Sequence, residues 1–341
     1  MSNTDKQMHC IYGTPMRISL VCTAKNEEDN IAQLIESMLG QSLRPDEIVI
    51  NDNNSTDATA AIVQGFHAIG HPVRLVQGGF NIPSGRNNAI FHATGEIIAC
   101  TDAGLILDRH WLARITAPLR DGTADVVAGF FQPLPRSILE HAIGCTNYPD
   151  VSEVDADTFM PFGQSVAFRK AVWEQVDGYP EWASHCEDLL YDFAMKKTGA
   201  RFAFAGTALV HFRPRESLYQ LFRQYYYYAR GDAVAGLWPR RHLIRYVVYS
   251  VAVLLVAIGG WAWWLLLVGV LGYCVTPLRR IIRRQPGRYT MLQSVLAAGL
   301  VPLIRVVGDT AKMIGYIAGH IRLRRLPTLR RDRDAWRKQY L

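Results

Sequence analysis

Short apolar runs alternate with amphipathic stretches along the first 130 residues. The runs predict strands at Arg17–Thr23, Glu47–Ile50, Val73–Val76 and Ile97–Cys100, and the stretches predict helices at Asn26–Leu39, Thr56–Phe66 and Ser84–Ala93. Apolar residues three or four positions apart mark the helices. Strands that alternate with helices of this length form βαβ units, so the pattern predicts an α/β fold with a Rossmann-like, mostly parallel sheet flanked by helices.

The pattern continues less regularly up to residue 212. It predicts strands at Asp125–Phe131, Phe202–Phe204 and Ala208–Phe212 and a helix at Asp188–Thr198. Residues 132–160 carry prolines and show no clear period, so they are expected to form a loop region over the site.

The longest apolar run, residues 246–275, contains no charged side chain. About twenty apolar residues span a bilayer, so this run is predicted to lie in or on a membrane rather than in a buried core hairpin. Arginines flank it on both sides, at positions 240, 241, 245, 279, 280, 283 and 284. Positive residues prefer the cytoplasmic side, which favours a hairpin bent near Gly259-Gly260. Because its arms would be only about fifteen residues long, a re-entrant or interfacial hairpin is expected.

A second apolar stretch, Met291–Ile304, leads directly into three charged residues, Arg305, Asp309 and Lys312. Those charges favour a helix that lies along the membrane interface over one that crosses the bilayer. The sheet is therefore expected to be followed by C-terminal membrane or interfacial helices.

Charge is distributed unevenly along the chain. From Gly231 onward there are 18 Lys and Arg against 4 Asp and Glu, whereas the first 230 residues hold 19 basic and 26 acidic groups. A basic segment beside a membrane run is typical of contact with anionic lipid. The acidic first part argues against nucleic acid as a partner and is compatible with a divalent cation site.

The cysteines and the N-terminus bear on the compartment. The six cysteines form no C-x-x-C pair, which argues against a zinc site and against a disulfide framework. The first ten residues are polar and lack an apolar signal stretch. The protein is therefore expected at the cytoplasmic membrane, with its soluble domain facing the cytoplasm.

Acidic and polar residues collect where the predicted strands end, which is where open parallel sheets bind ligands. Glu27 follows the first strand, Asp52 the second and Asp102 the fourth. Helix capping accounts for residues 54–57 but not for Asp52, whose carboxylate can accept hydrogen bonds from a nucleobase or a ribose hydroxyl. Neither of the glycine-rich phosphate loops G-x-x-x-x-G-K-S/T and G-x-G-x-x-G occurs in the sequence.

The runs V-C-T-A-K-N-E-E and I-V-I-N-D-N-N-S-T-D resemble the inverting family 2 glycosyltransferases, which have the GT-A fold, and the resemblance extends over about residues 15–235. It implies that Thr23, Glu27 and Asp52 bind the nucleobase and ribose of a sugar nucleotide. The second strand usually ends in D-D-x-S-x-D in this family, whereas this chain has Asn51 and Asn53 at the first and third positions.

The resemblance extends to two further motifs around the diphosphate. In S-G-R-N-N-A it implies that Arg86 lies near the diphosphate, the alternative being a surface arginine. The D-x-D motif falls at Asp102, and Gly104 replaces its second acid. The resemblance implies Mg²⁺ or Mn²⁺ at Asp102. His211 is a candidate additional ligand, with a purely structural histidine as the alternative.

The segment S-H-C-E-D-L-L matches the family's Glu-Asp pair. The resemblance implies that Asp188 removes the proton of the acceptor hydroxyl and that Glu187 helps to bind substrate. Ser184 and Glu187 also fit a capping box, which is the structural alternative. A carboxylate at a helix N-terminus has a lowered pKa, so Asp188 is expected to be ionised at neutral pH.

The run Q-L-F-R-Q-Y-Y-Y-Y-A-R-G-D lies in the segment that joins the soluble domain to the membrane region. Arg223 and Arg230 are predicted to approach the diphosphate or the acceptor, while Tyr225–Tyr228 fit either such a role or an interfacial tyrosine belt. The Q-x-x-R-W motif of processive members is absent from the sequence, which argues against a polymerising synthase.

Two domains and one activity are therefore expected. Residues 1–235 would form the cytoplasmic glycosyltransferase domain and residues 236–341 a membrane-associated helical region with a basic tail. The enzyme would transfer a sugar, with inversion, from a nucleotide-diphosphate sugar to a lipid-linked or glycan acceptor in cell-envelope glycan synthesis. The alternative is a catalytically inactive, membrane-bound nucleotide-binding scaffold on the same fold.

Overall fold

The computed structural model describes residues 16–284 and 289–341; the polar N-terminal segment with Cys10 lies outside these residues. Within them the backbone forms two compact units that are interleaved in sequence. Unit 1 consists of the described residues up to Phe131 together with Ala156–Tyr179 and Tyr191–Val210. Unit 2 consists of Gln132–Asp155, Pro180–Leu190 and His211–Leu341.

The strands form one mixed sheet in the described part of the chain. They are β1 Ile18–Ala24, β2 Glu47–Asp52, β3 Val73–Gln77, β4 Ile97–Asp102, β5 Leu105–Leu107, β6 Val126–Pro133, β7 Ser165–Arg169 and β8 Phe202–Phe212, in the order β3-β2-β1-β4-β7-β6-β8-β5. β1 to β4 pair in parallel, and β7 pairs antiparallel with both β4 and β6. The predicted α/β sheet is confirmed, and its parallel part is the half formed by β1 to β4.

Helices flank this sheet and connect its strands. They are α1 Ile31–Leu39, α2 Thr59–Ala68, α3 Ile82–His92, α4 Trp111–Arg120, α5 Ile138–Asn147, α6 Lys170–Gln175 and α7 Glu187–Lys197. α1 and α2 begin later than the sequence predicts, at Ile31 and Thr59. The residues before them use their polar groups in turn hydrogen bonds, which compete with the helical ladder.

The expectation of an irregular loop over residues 132–160 is wrong in part. α5 occupies its centre, with the Ser137 hydroxyl accepting the Glu140 N–H at 3.2 Å as an N-cap. A 3₁₀ turn, Val151–Glu153, follows. The apolar period of this short helix is weak because it is buried on most of its surface rather than on one face.

Unit 2 continues with five consecutive helices. They are α8 Leu218–Ala235, α9 Pro239–Ile258, α10 Ala262–Arg283, α11 Met291–Arg325 and α12 Pro327–Tyr340. α9, α10 and α11 are long and apolar enough to cross a membrane. Large side chains on them stay exposed, including Val253 and Trp264. This distribution is typical of helices whose solvent is lipid.

The bend of the hairpin lies where the glycine pair predicts it. Gly259 and Gly260 separate α9 from α10, and both have positive φ, 70° and 56°. The expected arm length of about fifteen residues is wrong, because α9 has 20 residues and α10 has 22. Both helices extend into the arginine-bearing flanks, and a 20-residue helix is about 30 Å long, the thickness of a bilayer's hydrocarbon core.

Charged residues in the middle of α11 are paired inside unit 2. The Asp309 side chain, 4% exposed, accepts hydrogen bonds from Arg245 Nε at 3.0 Å, Tyr249 Oη at 3.1 Å and Tyr273 Oη at 2.6 Å. Lys312 Nζ lies 3.9 Å from the same carboxylate. These charges therefore do not in themselves indicate an interfacial helix, contrary to the sequence argument, because they join α9, α10 and α11.

α8 and α11 pack with their backbones in contact. A Cβ atom at Gly315 would lie 2.2 Å from the carbonyl oxygen of Tyr226, and one at Gly319 would lie 2.4 Å from that of Arg230. Only glycine allows this approach, as at the small-residue interfaces of membrane helices.

Candidate active site

The first group of candidate residues lies at the carboxyl ends of three adjacent parallel strands in unit 1. Thr23 pairs in register with Asn51 on β2 and with Asp102 on β4, and Ala24 pairs with Asp52. Neighbouring strands that end at the same level form one edge of the sheet, and ligands bind outside such edges in α/β proteins. Thr23, Asp52 and Asp102 therefore lie at one edge, as the sequence predicts.

Asn51, at the position of the family's first acid, is fully buried and uses both ends of its amide. Its Nδ2 donates to the carbonyl oxygen of Gly78 at 2.9 Å, and its Oδ1 accepts from Asn88 Nδ2 at 2.6 Å. A carboxylate could not donate to Gly78 and would bury a charge. The departure at position 51 thus has a structural reason, which a reading of the single strand does not reveal.

α3 approaches these strand ends through a glycine. A Cβ atom at Gly85 would lie 2.4 Å from Thr23 Oγ1 and 2.9 Å from Asn51 Nδ2. The helix begins with a capping box in which the Asn81 side chain accepts the Ser84 N–H. The motif S-G-R-N-N-A therefore places the first turn of a helix against the strand ends.

The turns after β1 and β2 are joined by polar contacts. Both oxygens of Asp52, which is 2% exposed, lie 3.3 Å from the Ser55 N–H. The Asn26 N–H donates to Ser55 Oγ at 2.9 Å, and the Glu27 N–H donates to Thr59 Oγ1 at 2.8 Å. Asp52 closes its own turn in the structure, and its contact with a nucleotide stays a prediction.

Gly104, at the position of the missing second acid, faces Glu27. Its φ is +79°, a conformation that favours glycine, and a Cβ atom there would lie 3.6 Å from Glu27 Oε2. Glu27 Oε2 also accepts a hydrogen bond from Asn30 Nδ2 at 3.0 Å. An acid at position 104 would combine backbone strain with repulsion from the Glu27 carboxylate.

Arg86 is a buried partner of Asp102. Its side chain is 3% exposed, and its Nη2 donates to Asp102 Oδ1 at 2.8 Å, whereas the Asp102 side chain is 39% exposed. The guanidinium carbon lies 4.9 Å from the ring centroid of Tyr179. The Gly163 backbone also lies against it, because a Cβ atom there would be 2.8 Å from Arg86 Nη2. The alternative of a surface arginine is therefore wrong.

The described residues contain no group of three or more His, Cys, Asp and Glu side chains that could hold a metal ion. Magnesium sites that also bind phosphates commonly use one or two carboxylates, with waters and phosphate oxygens completing the octahedron. Asp102, exposed at the strand edge, with Glu27 beside Gly104, fits such a partial donor set. His211, half-buried in the last part of β8, is in no described metal group, and its role as a ligand stays a prediction.

The second group of candidate residues belongs to unit 2. Glu187 and Asp188 occupy the first turn of α7, and Glu187 is buried. Asp188 is half-buried, and its Oδ1 accepts the Leu189 N–H at 2.8 Å. A carboxylate in this position gains from the helix dipole, which stabilises its charged form.

The residue before this pair is held in a strained conformation. Cys186 has a φ of 62°, and its Sγ lies 3.3 Å from Asp232 Oδ1 and 3.6 Å from the carbonyl oxygen of Tyr228. Asp232 Oδ2 lies 3.0 Å from His242 Nε2. α8 and α9 thus fix the backbone that precedes Asp188. Asp232 and His242 carry no motif that marks them in the sequence, although each is a polar residue near the border of the apolar region.

Arg223 and Arg230 lie on α8 and face aromatic rings. The Arg230 guanidinium carbon is 4.6 Å from the ring centroid of Tyr227, and that of Arg223 is 5.8 Å from the ring of Tyr219. Tyr225 packs under Lys312 Nζ at 4.1 Å. Tyrosines of the Tyr225–Tyr228 run therefore take part in packing within unit 2, and the substrate-binding roles of both arginines stay predictions.

Comparison with known proteins gives a family match for part of the chain. The model of glycosyl transferase family 2 matches residues 19–135. The succinoglycan biosynthesis protein ExoA of Rhizobium meliloti is 27% identical over 229 residues, which are 63% of this chain and 68% of that protein. The O-antigen chain rhamnosyltransferase RfbN of Salmonella typhimurium is 21% identical over 225 residues, 61% of this chain and 71% of the relative.

A solved structure supports the fold. The mannosyltransferase PcManGT from Pyrobaculum calidifontis, in complex with GDP-Man and Mn²⁺, superposes with a TM-score of 0.53 at 18% identity, covering 92% of this chain and 88% of its own. The matched segment contains the strand ends of β1, β2 and β4, which carry the first motifs of the family resemblance, whereas the Glu187-Asp188 pair lies outside it. Residues 19–135 therefore match glycosyl transferase family 2, and the chain has a GT-A type fold and C-terminal apolar helices that fit membrane association.

Proposed function

We propose that this glycosyltransferase moves one sugar from a nucleotide-diphosphate sugar to a lipid-linked or glycan acceptor at the cytoplasmic face of the membrane, with inversion at the anomeric carbon. The proposal depends on one observation: Thr23, Asp52 and Asp102 lie at the ends of neighbouring strands on one edge of the sheet, and the buried Arg86 is paired with Asp102. The named roles of the relatives in succinoglycan and O-antigen formation support cell-envelope glycan synthesis as the process.

The donor would bind at this edge. Thr23, Glu27 and Asp52 would hold the nucleobase and ribose, and Arg86 would orient the Asp102 carboxylate through its 2.8 Å hydrogen bond. With a guanidinium on only one of its oxygens, Asp102 keeps lone pairs for a ribose hydroxyl or a cation. Arg86 would therefore act mainly as a positioning residue, and its positive charge would also favour the diphosphate.

Asp102 and Glu27 would hold a Mg²⁺ or Mn²⁺ ion, with His211 as a candidate further ligand. The bound ion would neutralise charge on the leaving diphosphate. Glu27 is included because its carboxylate lies beside Gly104, in the space where the family's second acid would project.

Asp188 would act as the base, with Glu187 at its side. It would take the proton of the acceptor hydroxyl while that oxygen bonds to the anomeric carbon and the bond to the diphosphate breaks. One displacement of this kind inverts the configuration. Arg223 and Arg230 would approach the diphosphate or the acceptor.

The domain boundary is part of the proposal. Residues 1–235 would form the catalytic region and residues 236–341 the membrane region, with the basic tail near anionic lipid. An acceptor carried by lipid follows from an enzyme anchored beside the bilayer.

The decisive test uses full-length protein purified in detergent and a panel of sugar nucleotides, with release of nucleoside diphosphate measured with and without Mn²⁺. Wild-type protein should turn over one donor in a cation-dependent manner. Asp188→Asn should lower the turnover by about 10³-fold, because a positioned base accelerates such a reaction by about 10²- to 10⁴-fold. The nucleoside diphosphate should still raise the unfolding temperature of this variant.

The matched control is Asp29→Asn, which changes an exposed carboxylate near the first turn and should leave turnover unchanged. Normal turnover in Asp188→Asn would contradict the assignment of the base. Nucleotide binding without turnover of any donor by the wild-type protein would instead favour the scaffold. NMR of the product should show the anomeric configuration opposite to that of the donor.

A further inference from the structure

The residue directly before Glu187 and Asp188 has an unusual backbone for its place in the chain. The carbonyl oxygen of Cys186 accepts the Leu190 N–H at 3.1 Å, so Cys186 is the N-cap of α7. N-cap residues normally have an extended backbone, whereas the φ of Cys186 is 62°. A residue other than glycine stays in this left-handed region only where its surroundings hold it. The placement of the first turn of α7 therefore depends on what holds Cys186.

α8 lies against this cap and supplies the contacts that hold it. A Cβ atom at Gly231 would lie 2.7 Å from His185 Cβ and 3.1 Å from Cys186 Sγ, so the backbone of α8 touches the cap. The thiol of Cys186 donates to Asp232 Oδ1 at 3.3 Å, and its Sγ lies 3.6 Å from the carbonyl oxygen of Tyr228. All of these residues belong to unit 2.

The Cys186 thiol is kept in the form that can donate. Burial and, after it, the charges of Asp232 and Asp188 raise the pKa of this thiol well above its ordinary value. It therefore keeps its proton at neutral pH. A hydrogen bond to a charged carboxylate is stronger than one between neutral groups, so Asp232 is the main partner of the thiol.

The second oxygen of Asp232 binds a histidine of α9. His242 Nε2 lies 3.0 Å from Asp232 Oδ2, and Arg245 Nη1 lies 3.1 Å from His242 Nδ1. Because an arginine can only donate, Nδ1 accepts, and the proton on Nε2 is donated to Asp232. The buried His242 ring also stacks on Tyr316 of α11, with centroids 3.8 Å apart. Asp232 thus joins the cap of α7 to α9 and α11, which are long and apolar enough to cross a membrane.

We infer that Asp232 is a positioning residue for sugar transfer, which holds the first turn of α7 through the Cys186 thiol and thereby aims Asp188 at the acceptor hydroxyl. The inference rests on the proposed role of Asp188 as the base. A base must lie within hydrogen-bond reach of the proton that it removes, and a displacement of about 1 Å can lower a rate by about 10²-fold. Because His242 lies on α9, the same contacts tie the base to a helix that would be anchored beside a lipid-linked acceptor.

The first test measures kcat and the donor KM separately for full-length protein in detergent. Asp232→Asn should lower kcat by about 10- to 100-fold at unchanged donor KM, because an amide has one acceptor oxygen and cannot accept from both Cys186 and His242. The matched control is Asp334→Asn, which removes an arginine-paired carboxylate from α12 of the same unit and should keep kcat. An unchanged kcat in Asp232→Asn, or an equal loss in the control, would overturn the inference.

Substitutions at Cys186 separate the hydrogen bond from the backbone strain. Cys186→Gly adopts a φ of 62° without strain but has no donor, so it should fold and still lose about as much kcat as Asp232→Asn. Cys186→Ser keeps a donor and should retain kcat to within about threefold. A normal kcat in Cys186→Gly, or equal losses in the two variants, would show that the thiol does not position the base. Unfolding temperatures identify any variant that fails to fold.

Coupling to the base is tested in a double variant. In the Asp188→Asn background, Asp232→Asn should cause no further loss of kcat, because residues that act as a unit are not additive. A full further loss would show that Asp232 acts elsewhere and would overturn the inference.

Deuterium exchange distinguishes a failure of this inference from a failure of the proposed function. Exchange in residues 183–192 should be faster in Asp232→Asn than in the wild-type protein, whether or not Asp188 is the base. Unchanged exchange would overturn the link between Asp232 and the cap. Normal turnover in Asp188→Asn alone would contradict the proposed base, and with it the positioning of that base, while faster exchange would still establish the link.

Discussion

The two units of this chain bury polar groups in opposite places. In unit 1 the middle parts of the parallel strands β1, β2 and β4 are apolar and buried, and polar side chains stand at the strand ends, where Thr23, Asp52 and Asp102 share one edge. In unit 2 an acid, Asp309, lies in the centre of the helix cluster, while large apolar side chains such as Val253 stay exposed.

The difference teaches that burial depends on the surrounding solvent as well as on residue type. In water, apolar side chains gain free energy by moving inward, and polar groups are left at the ends of the elements. Between helices in lipid, apolar burial gives little, so close packing and polar contacts must join them. The predictions below test whether unit 2 depends on such contacts more than on apolar area.

The largest expected effect is that of Asp309→Ala. It leaves the half-buried guanidinium of Arg245 and the hydroxyls of Tyr249 and Tyr273 without their common buried acceptor, and breaking a buried pair costs up to about 3–5 kcal/mol. The unfolding temperature in detergent should fall strongly. Asp332→Ala, on exposed α12, is the control and should have no measurable effect. Equal unfolding temperatures of the two variants would contradict the idea that polar contacts hold the helices of unit 2 together.

The next effect concerns the contact between α8 and α11. Gly315→Ala places a Cβ atom 2.2 Å from the carbonyl oxygen of Tyr226, so the helices must separate, at a cost of about 1–3 kcal/mol. Gly299→Ala, on the same helix but with nothing within 4 Å of its Cβ position, should be neutral or slightly stabilising, because alanine favours helix. The unfolding temperatures of both variants should be measured. An unchanged unfolding temperature of Gly315→Ala would contradict the close packing of α8 and α11.

A smaller effect is expected at the strand edge of unit 1. Arg86→Lys keeps the charge but loses the planar fork that holds Asp102, so kcat/KM should fall by about 10- to 100-fold, or about 1.4–2.7 kcal/mol. The control, Arg74→Lys, changes an arginine paired with Glu47 at 3.3 Å and should keep full activity. A drop in kcat at unchanged KM for the donor would indicate positioning of Asp102, whereas a rise in KM alone would indicate direct binding by Arg86.

The smallest effect is a dependence of stability on pH. The hydrogen bond from Arg201 lowers the pKa of Asp125 from 3.8 to about 2. Since the folded pKa lies below the unfolded one, the stabilisation is fully present above the unfolded value and is lost as the pH falls from about 4 to 2. Acid unfolding followed by circular dichroism should show this loss in wild-type protein and a weaker one in Asp125→Asn. The pair is partly exposed, so identical curves would mean that solvent screens it completely.

The sequence predicted much of unit 1 because its local pattern and its tertiary role agree. β1 to β4 lie within two residues of the predicted ranges, since buried parallel strands are continuous apolar runs bounded by polar turns. The predictions were less accurate for elements that are buried on several sides and for polar residues just before helices. α5 has no clear apolar face, and residues 26–30 and 56–58 looked helical but are used in turns.

Only part of the candidate site could be predicted from the sequence. The positions of Asp102 and Asp188 came from motifs, but the pairing of Arg86 with Asp102 joins residues 16 apart in sequence. The contact between Cys186 and Asp232 joins residues 46 apart. No periodicity encodes such contacts, because they arise only when separate elements pack together.

By itself, the sequence determined the alternation of strands and helices, the acids at the strand ends, the apolar helices and the glycine bend, since each depends on neighbouring residues along the chain. Only the tertiary structure decided that Asn51 is a buried bridge, that Gly104 faces Glu27, and that Asp309 joins three helices. These facts depend on distances between segments far apart in the chain, and the free energy of packing, not local preference, sets those distances.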